Sequence, residues 1–518
     1  MPKPLIEIEQ NRDWRNWHDT DGVGGVVQQF LTPTNEWADT TAPVPGKSFA
    51  AGLEGLCEIV RRAEAANVRL RALGSGWSLN SVGFVDGYLV NTSRLTSWSV
   101  GSLSTKSIVP ELAGIAKRVV YAQCGTPITT LNSGLEARGL ALPTSGASNG
   151  QTIAGAISTG THGSAHRVGS LHDRVLALHI VAEHGKHYII QPARKPIVTQ
   201  AYCTWLGAEL RQDDALFDAA LVSFGSFGIV HAVIFEASPL YLLRLCAKQL
   251  DFEDIVRAAL SHDISKLGLL QDAGEPYHIE FVINPYLRGK GHKGAFVRVY
   301  YEQAHKEGDA LPVPALAGAT SMRGRDLVGA IAIGSEVLPD VIPSTLQSQL
   351  VGIVPSAEDG AFIGTPGQCF SDSLRTGGGT SLELGVPLER LSDALAAVFA
   401  VTDKHVFGAP VALRYVRSSQ ALLAFTHFAP ITCTIEFPGI DAPRSREAHK
   451  LLEAELTKRA VPHTYHWGQV MPLNSKVVRA GFGDARVDAW LAARRGFLSP
   501  AGRKLFSNDM LDALGLSV

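Results

Sequence analysis

This chain of 518 residues lacks several things that would have placed it quickly. It has no charge imbalance: 47 Lys and Arg stand against 49 Asp and Glu, for a net charge of −2. A general affinity for nucleic acid or for an anionic membrane surface is therefore not expected. No apolar run approaches the ~18 residues a membrane span needs; the best short run is Ala394–Val401. Glu7 and Glu9 interrupt the apolar residues at the start, so no signal-peptide core forms there. The six cysteines (57, 124, 203, 246, 369 and 433) are scattered and form no Cys-x-x-Cys pair. Structural zinc is not expected, no other metal site stands out, and reduced thiols in a cytoplasmic protein are the simplest reading. There is no repeat at solenoid or propeller period.

Core material is plentiful. Hydrophobic residues make up 45% and charged residues 19%, enough for large cores and two to four domains. Leu53, Leu56, Cys57, Val60 and Ala63 recur at helical spacing, and Asn67 lies where that helix could stop. Arg69 to Leu73 reads as a short strand ending at Gly74-Ser75-Gly76, and Tyr88-Leu89-Val90 as a second. Pro127 suits the first turn of a helix that closes before Gly139. Val175–Val181 and His187–Ile190 read as a hairpin, Asp213-Asp214 as a helix start and Ile229–Phe235 as a strand. Beyond about residue 240 the texture becomes that of an α+β domain, with strands at Ile279–Ile283 and Thr434–Phe437 and a helix at Leu388–Val401. Two Gly/Pro-rich stretches, about 304–320 and 354–379, read as connectors.

Two glycine-rich segments invite a ligand. Gly74-Ser75-Gly76-Trp77-Ser78 follows a strand, and a loop with few Cβ atoms lets backbone N–H groups surround an anion. It is neither a Rossmann fingerprint, since Leu79 stands where the third glycine belongs, nor a Walker loop, since no Gly-Lys-Ser/Thr follows. A plain tight turn is the other reading. The run Pro143 to Ser164 is longer, and its only bulky side chains are Gln151, Ile153, Ile157 and His162. Such a backbone either wraps a large flat ligand or forms a surface loop; Ile153 and Ile157 at i,i+4 favour order.

Arg71 to Ser78, Pro143 to Ser164 and Phe227-Gly228-Ile229-Val230 resemble the FAD-binding (PCMH-type) domain of vanillyl-alcohol-oxidase-type flavoproteins, and within them the aldonolactone oxidase and alditol oxidase branch. His466-Trp467-Gly468-Gln469 is similar to that branch's His-Trp-Gly-Lys, Leu498 to Leu511 to its Asp-Pro-x-Gly-x-Phe-x-Asn ending, and Trp14-Arg15-Asn16-Trp17 is also typical. The resemblance implies an α+β fold: a two-subdomain FAD-binding domain at 45–238, preceded by an N-terminal extension at 1–44. A substrate or cap domain with a large antiparallel sheet follows at 239–450, and a segment at 451–518 closes over the flavin. It implies a pyrophosphate held at Leu73, Gly74, Ser75, Gly76, Trp77 and Ser78. It places beside the flavin Thr144, Ser145, Gly146, Ser148 and Asn149, and then Ile153, Gly155, Ala156, Ser158, Thr159, His162 and Gly163. Ile229 and Val230 are to contact the adenine half.

Two departures from the family pattern matter. The histidine that bonds covalently to flavin in many relatives is replaced by Trp77, and indole has no comparable nucleophile, so non-covalent FAD is expected. Pro410-Val411-Ala412-Leu413-Arg414-Tyr415 resembles the family's Pro-Val-Glu-Val-Arg-Phe strand, but its Glu is Ala412, and the Lys of His-Trp-Gly-Lys is Gln469. A substrate less polar than an alditol is therefore expected. Arg414 is the candidate for stabilising the substrate oxygen, His278 is either the base or a structural histidine, His466 is either a chemical or a packing group, and Gln469 is a candidate to bind substrate as a neutral polar group. Thr426-His427 reads as part of another cap strand, and Glu436 as a solvated or ion-paired acid. The expected activity is oxidation of a small-molecule alcohol or lactone by FAD, with oxygen or another acceptor taking the electrons. The alternatives are a sugar-lactone oxidase or dehydrogenase with a rearranged site, and a flavin-binding protein that has lost turnover.

Overall fold

The computed structural model describes residues 3–38, 47–104, 106–146, 148–269, 276–289, 291–306, 308–309, 311–312, 338–353, 362–370 and 378–517. Most of the two Gly/Pro-rich stretches read as connectors lies outside the described residues.

The first sheet has the order β1 (Pro4–Arg15), β2 (Gly24–Trp37), β4 (Tyr88–Asn91), β3 (Leu70–Leu73). β1 and β2 form an antiparallel hairpin, and β3 and β4 run parallel to each other. The segment expected as an extension thus supplies two of the four strands. Helix α1 (Lys47–Ala66) connects β2 to β3. Its Leu56, Cys57, Val60 and Ala63 are buried at the spacing read from the sequence. It ends where Asn67 takes φ 51°, the left-handed conformation that asparagine tolerates.

The second sheet holds β5 (Trp98–Val100), β6 (Val119–Gln123), β8 (Val175–Val181), β9 (His187–Gln191), β10 (Glu209–Gln212) and β11 (Ile229–Glu236), in the order β10-β9-β8-β11-β6-β5. Every residue of β8 is buried, so the sheet is covered on both faces and its strands read as continuous apolar runs. Helix α2 (Ile128–Glu136) lies between β6 and β7 (Leu140–Ala141), and α3 (Ile153–Thr159) carries the small-residue segment. β7 pairs with β12 (Ser238–Pro239), where the chain leaves this half of the molecule.

The remainder is built on an antiparallel sheet of eight strands: β13 (Tyr241–Leu250), β14 (Pro276–Ile283), β15 (Ala295–Ala304), β16 (Ile363–Gly364), β17 (Gly379–Pro387), β18 (Val411–Arg417), β19 (Ile431–Ile440) and β20 (Thr464–Tyr465). Their order is β16-β13-β15-β14-β18-β19-β17-β20. Thr426-His427, expected on a strand, lies instead among turns between β18 and β19. One apolar cluster runs from α1 through the second sheet and the eight-stranded sheet to the C-terminal helices, so the halves share a core. Among the described residues no helix is long and apolar enough to cross a membrane.

Candidate active site

A cavity of about 430 Å³, within the usual range for small-molecule sites, opens between the Gly-rich loops and one face of the eight-stranded sheet. Leu73, Gly74, Ser75, Gly76, Trp77 and Ser78 all line it. Gly76 has φ +65°, and its carbonyl accepts the Trp17 N–H at 2.7 Å. A Cβ on Gly74 would collide with the Thr152 hydroxyl. The Trp77 ring stacks on Trp17 with centroids 5.6 Å apart, meets His18 edge-on, and lies where a side chain on Gly150 would have to go.

The small-residue segment divides between cavity and core. Gly146, Ser148, Gly155, Ser158, Thr159 and His162 line the cavity. Thr144, Ser145, Asn149, Ile153, Ala156 and Gly163 are not among its lining residues. Ile153 and Ala156 sit on the core face of α3, as helical spacing requires. Ser145 donates to Asn149 Oδ1 at 2.6 Å. Gly163 packs so tightly on the Ser145 carbonyl that no side chain would fit. On β11, Val230 lines the cavity and Ile229 does not, following the two-residue alternation of a strand.

Sequence reasoning missed several lining residues, including Trp14, Arg71, Thr152, Phe224 and Gly228. Arg71 is buried and donates to the Val82 carbonyl at 2.7 Å and the Phe506 carbonyl at 3.2 Å, as well as to that of Phe224. Burial, then the nearby charge of Arg494, lowers its pKa to about 9. Leu79 N–H donates to the Gly468 carbonyl, and Asn80 Nδ2 to those of Trp467 and Gln469. Asn508 Nδ2 reaches the carbonyls of Ser81, Val82 and Phe84. The loop after β3 is thus tied to the C-terminal segment.

The opposite wall is a charged stripe across the eight-stranded sheet. Arg298 on β15 faces Glu280 on β14, and Glu280 faces Arg414 on β18. Two residues along, Ala412 on β18 faces Glu436 on β19, which faces Glu383 on β17. Arg414 Nε donates to Glu280 at 2.9 Å, and its NH1 to Glu436 at 2.5 Å. Glu383 lies 3.6 Å from NH1. Gln469 Nε2 bridges the two acids, at 3.1 Å from Glu383 and 3.2 Å from Glu436, and Ser381 Oγ donates to Glu436 at 3.0 Å. Burial alone would raise the Glu280 carboxyl, but Arg298 and Arg414 carry it down to about 2. Burial likewise opposes ionisation of Glu383, yet His162 and Arg414 bring it well below the usual carboxylate range. Arg414 would be lowered by burial but is raised by its three acids.

Glu383 also gathers two histidines. His162 Nε2 is 3.0 Å from Glu383 Oε1, though poorly aligned for a hydrogen bond, and His466 completes a group of potential ligand atoms within 4.8 Å of one another. The hydrogen bonds decide its character. His162 Nδ1 lies 2.8 Å from the Gly163 carbonyl and donates to it, which turns Nε2 toward Glu383. His466 Nδ1 accepts the Gly468 N–H at 3.0 Å, which puts its ring proton on Nε2. Burial pushes His466 down to about 4, which keeps that imidazole neutral. The three side chains form a buried polar cluster on the cavity wall.

His278, read as a candidate base, is placed elsewhere. It is buried between Tyr300 and Phe370, and its Nδ1 accepts the Ser164 N–H at 3.3 Å. Burial lowers its pKa to about 3. It is not among the residues lining the cavity, whereas Arg414, His466 and Gln469 are.

The residues present fit FAD. Glycines in the loops leave room for close backbone approach, and Gln151 Oε1, on a residue lining the cavity, is buried without a partner in the protein.

Residues 49–190 match the FAD binding domain family. The putative D-arabinono-1,4-lactone oxidase of Neurospora crassa is 31% identical over 244 residues, 46% of this chain and 37% of that protein. The D-arabinono-1,4-lactone oxidase of Yarrowia lipolytica is 28% identical over 222 residues, 43% and 37% of the two chains. The L-gulonolactone oxidase of Bos taurus is 24% identical over 209 residues, 40% and 41%. The chain thus matches less than half the length of each of these relatives. Among solved structures, a solvent-stable cholesterol oxidase superposes over 99% of this chain and 98% of its own, with TM-score 0.68 and 15% identity. Cholesterol oxidase from B. sterolicum superposes over 98% and 97%, with TM-score 0.68 and 13% identity, and these likenesses concern the fold. Residues 49–190 are therefore similar to FAD binding domains, as the loop motifs suggest, and the chain is similar over less than half its length to aldonolactone oxidases.

Proposed function

We propose that this protein is an FAD-dependent oxidoreductase that oxidises a CH–OH group of a small hydroxylated molecule, an alcohol or a sugar lactone. The carrying observation is Arg414, held by Glu280 and Glu436 on the wall facing the flavin-binding loops. When bound, FAD supplies the hydride acceptor, at its N5. The protein's part is to orient the hydroxyl and to stabilise the charge that develops on its oxygen. Arg414 keeps one N–H on each terminal nitrogen beyond its bonds to Glu280 and Glu436, and fixed donors of this kind favour an oxygen losing its proton. Glu383 Oε1 and Gln469 Oε1 are buried acceptors without hydrogen-bond partners, suited to substrate hydroxyls. The expectation of a substrate less polar than an alditol gives way to this wall of two acids, an arginine and an amide.

FAD is held without a covalent bond at position 77, where the indole is locked in its stack. The domain limits are read as 45–238 for the FAD domain and 239–450 for the substrate domain. The described cysteines are all free and buried, which suits a reducing compartment such as the cytoplasm. Oxygen or another acceptor reoxidises the flavin. The test is anaerobic mixing of the FAD-loaded protein with a panel of polyols, aldonolactones and simple alcohols. Bleaching of the flavin absorbance supports the reading, and a flavin that no member reduces refutes it.

A further inference from the structure

Position 412 carries the small residue at the place where the resembling strand motif has an acid, yet the wall is not short of acids. In the register of the sheet, Ala412 is flanked by Val282 on β14 and by Glu436 on β19. Directly opposed residues of antiparallel strands hold their Cβ atoms about 4.5–5.5 Å apart on the same face. A carboxylate from either residue can therefore reach the space beside Arg414, which is two residues along β18 and shares that face. Glu436 does so: its Oε2 accepts from Arg414, and its Oε1 accepts from Ser381 and Gln469. Val282 offers no polar group, so β19 is the side from which the acid can come.

We propose that Glu436 is the carboxylate that, with Arg414, grips the substrate hydroxyl, delivered from β19 instead of from position 412 on β18. Gln469 and Ser381 hold Glu436 in place, and Glu383 beside it makes a second acceptor. The inference rests on the reading of this cavity as an alcohol-oxidising site, and it names the residue that sets recognition there.

The test uses the FAD-loaded full chain and the flavin difference spectrum, with D-arabinono-1,4-lactone, xylitol and acetate as probes. Glu436→Ala should weaken lactone or xylitol binding by about tenfold or more, as expected for a lost charge-assisted hydrogen bond, with FAD content unchanged. Acetate should enter the vacated place beside Arg414 and bind this variant about tenfold or more tighter than the parent. The double variant Ala412→Glu/Glu436→Ala should return both affinities to within about threefold of the parent. A Glu436→Ala protein within about twofold of the parent for all probes would overturn the proposal. So would a folded, FAD-loaded double variant no better than the single one. Should the double variant not fold, Glu436→Gln, which keeps the size and loses the charge, serves: unchanged probe affinity overturns the proposal, and a clear loss upholds it. The two readings separate cleanly. A parent that binds the probes without flavin reduction refutes alcohol oxidation and leaves Glu436 to be judged by binding. A parent that binds neither lactone nor xylitol leaves the acetate arm to decide, gain in the single variant and its loss in the double one supporting the transfer, and no gain overturning it.

Discussion

Trp77 lies flat against Trp17, with ring planes inclined by 14°. The stack fixes an inert indole at the position where covalent relatives of the resembling family carry histidine. The purified protein should be yellow and should release intact FAD on acid or heat denaturation. A precipitated polypeptide that keeps its colour would refute this and direct attention to His162 or His18, both of which line the cavity.

Gly76 has a positive φ, and an added Cβ would come within 3.3 Å of the Trp14 ring. Gly76→Val combines a strained backbone with a side chain at the phosphate-binding path. The variant should fold with largely empty flavin sites, read as the ratio of flavin to protein absorbance. Full flavin content would reduce the loop to a turn.

Arg414 is half of a buried network, so its loss has two consequences. Arg414→Ala should slow flavin reduction by the order of 10²–10³, the range for losing one electrostatic donor. It should also cost about 3–5 kcal/mol of stability, because Glu436 loses its cationic partner and Glu280 keeps only Arg298. Lysine should restore part of each, lacking the planar fork that spans both acids. Rapid-mixing reduction and denaturant unfolding measure the two separately; a rate within about twofold of the parent would remove Arg414 from the chemistry.

His278→Ala should leave the reduction rate within about twofold of the parent, since the ring lies outside the cavity wall. Its cost is structural: the Ser164 N–H loses its acceptor, worth about 1–3 kcal/mol if it stays buried. A large rate loss with intact stability would return His278 to the candidate bases.

Acid should destabilise the fold through a histidine cluster in the second sheet. His179 Nδ1 lies 2.8 Å from Tyr121 Oη and 3.1 Å from His231 Nδ1, and His179 Nε2 lies 3.0 Å from His187. Burial lowers all three, His231 to about 3. The unfolded chain takes up these protons near pH 6.5 and the folded one does not, so stability is full above that pH and falls as pH drops. Each fully buried histidine should cost about 1.4 kcal/mol per pH unit, at most, until its folded pKa is reached. The carboxylates Glu280 and Glu383 are held below the usual carboxylate range and contribute little between pH 7 and 5. Others, His278 and His466 among them, act in the same direction, so the reading is a difference: His231→Gln should unfold with a shallower pH slope than the parent. An equal slope would exclude the cluster.

What could be read from the sequence was local. The spacing of Leu56, Cys57, Val60 and Ala63 identified α1, and the poverty of side chains between 143 and 164 marked a ligand path. The two isoleucines of that path face the core: Ile153 and Ile157 belong to the apolar cluster, while Gly155, Ser158, Gln151 and His162 face the cavity. That division follows from helical period and was available in principle. The partnership of Glu383, Glu436 and Arg414 was not. It depends on the register of β17, β18 and β19, which places residues 383, 412 and 436 in one row, and no pattern within any single strand encodes that pairing. For His278 the sequence left two readings, base or structural histidine, and the structure places it off the cavity. It shares β14 with Glu280, but a register shift between Pro276 and His278 lies at that end of the strand, and Ser164 claims the ring.

The ties among Arg71, Asn80 and the segments at 466–469 and 506–508 bear on how the molecule is made. The loop after β3 leaves the ribosome early, but its supporting carbonyls on Trp467, Gln469 and Phe506, and the amide of Asn508 that steadies Ser81 and Val82, emerge more than 380 residues later. The flavin pocket therefore cannot reach its finished form during most of translation. Nascent chains arrested before residue 466 should fail to retain FAD even though the matched segment at 49–190 has already emerged, so cofactor capture waits on residues made hundreds of positions later.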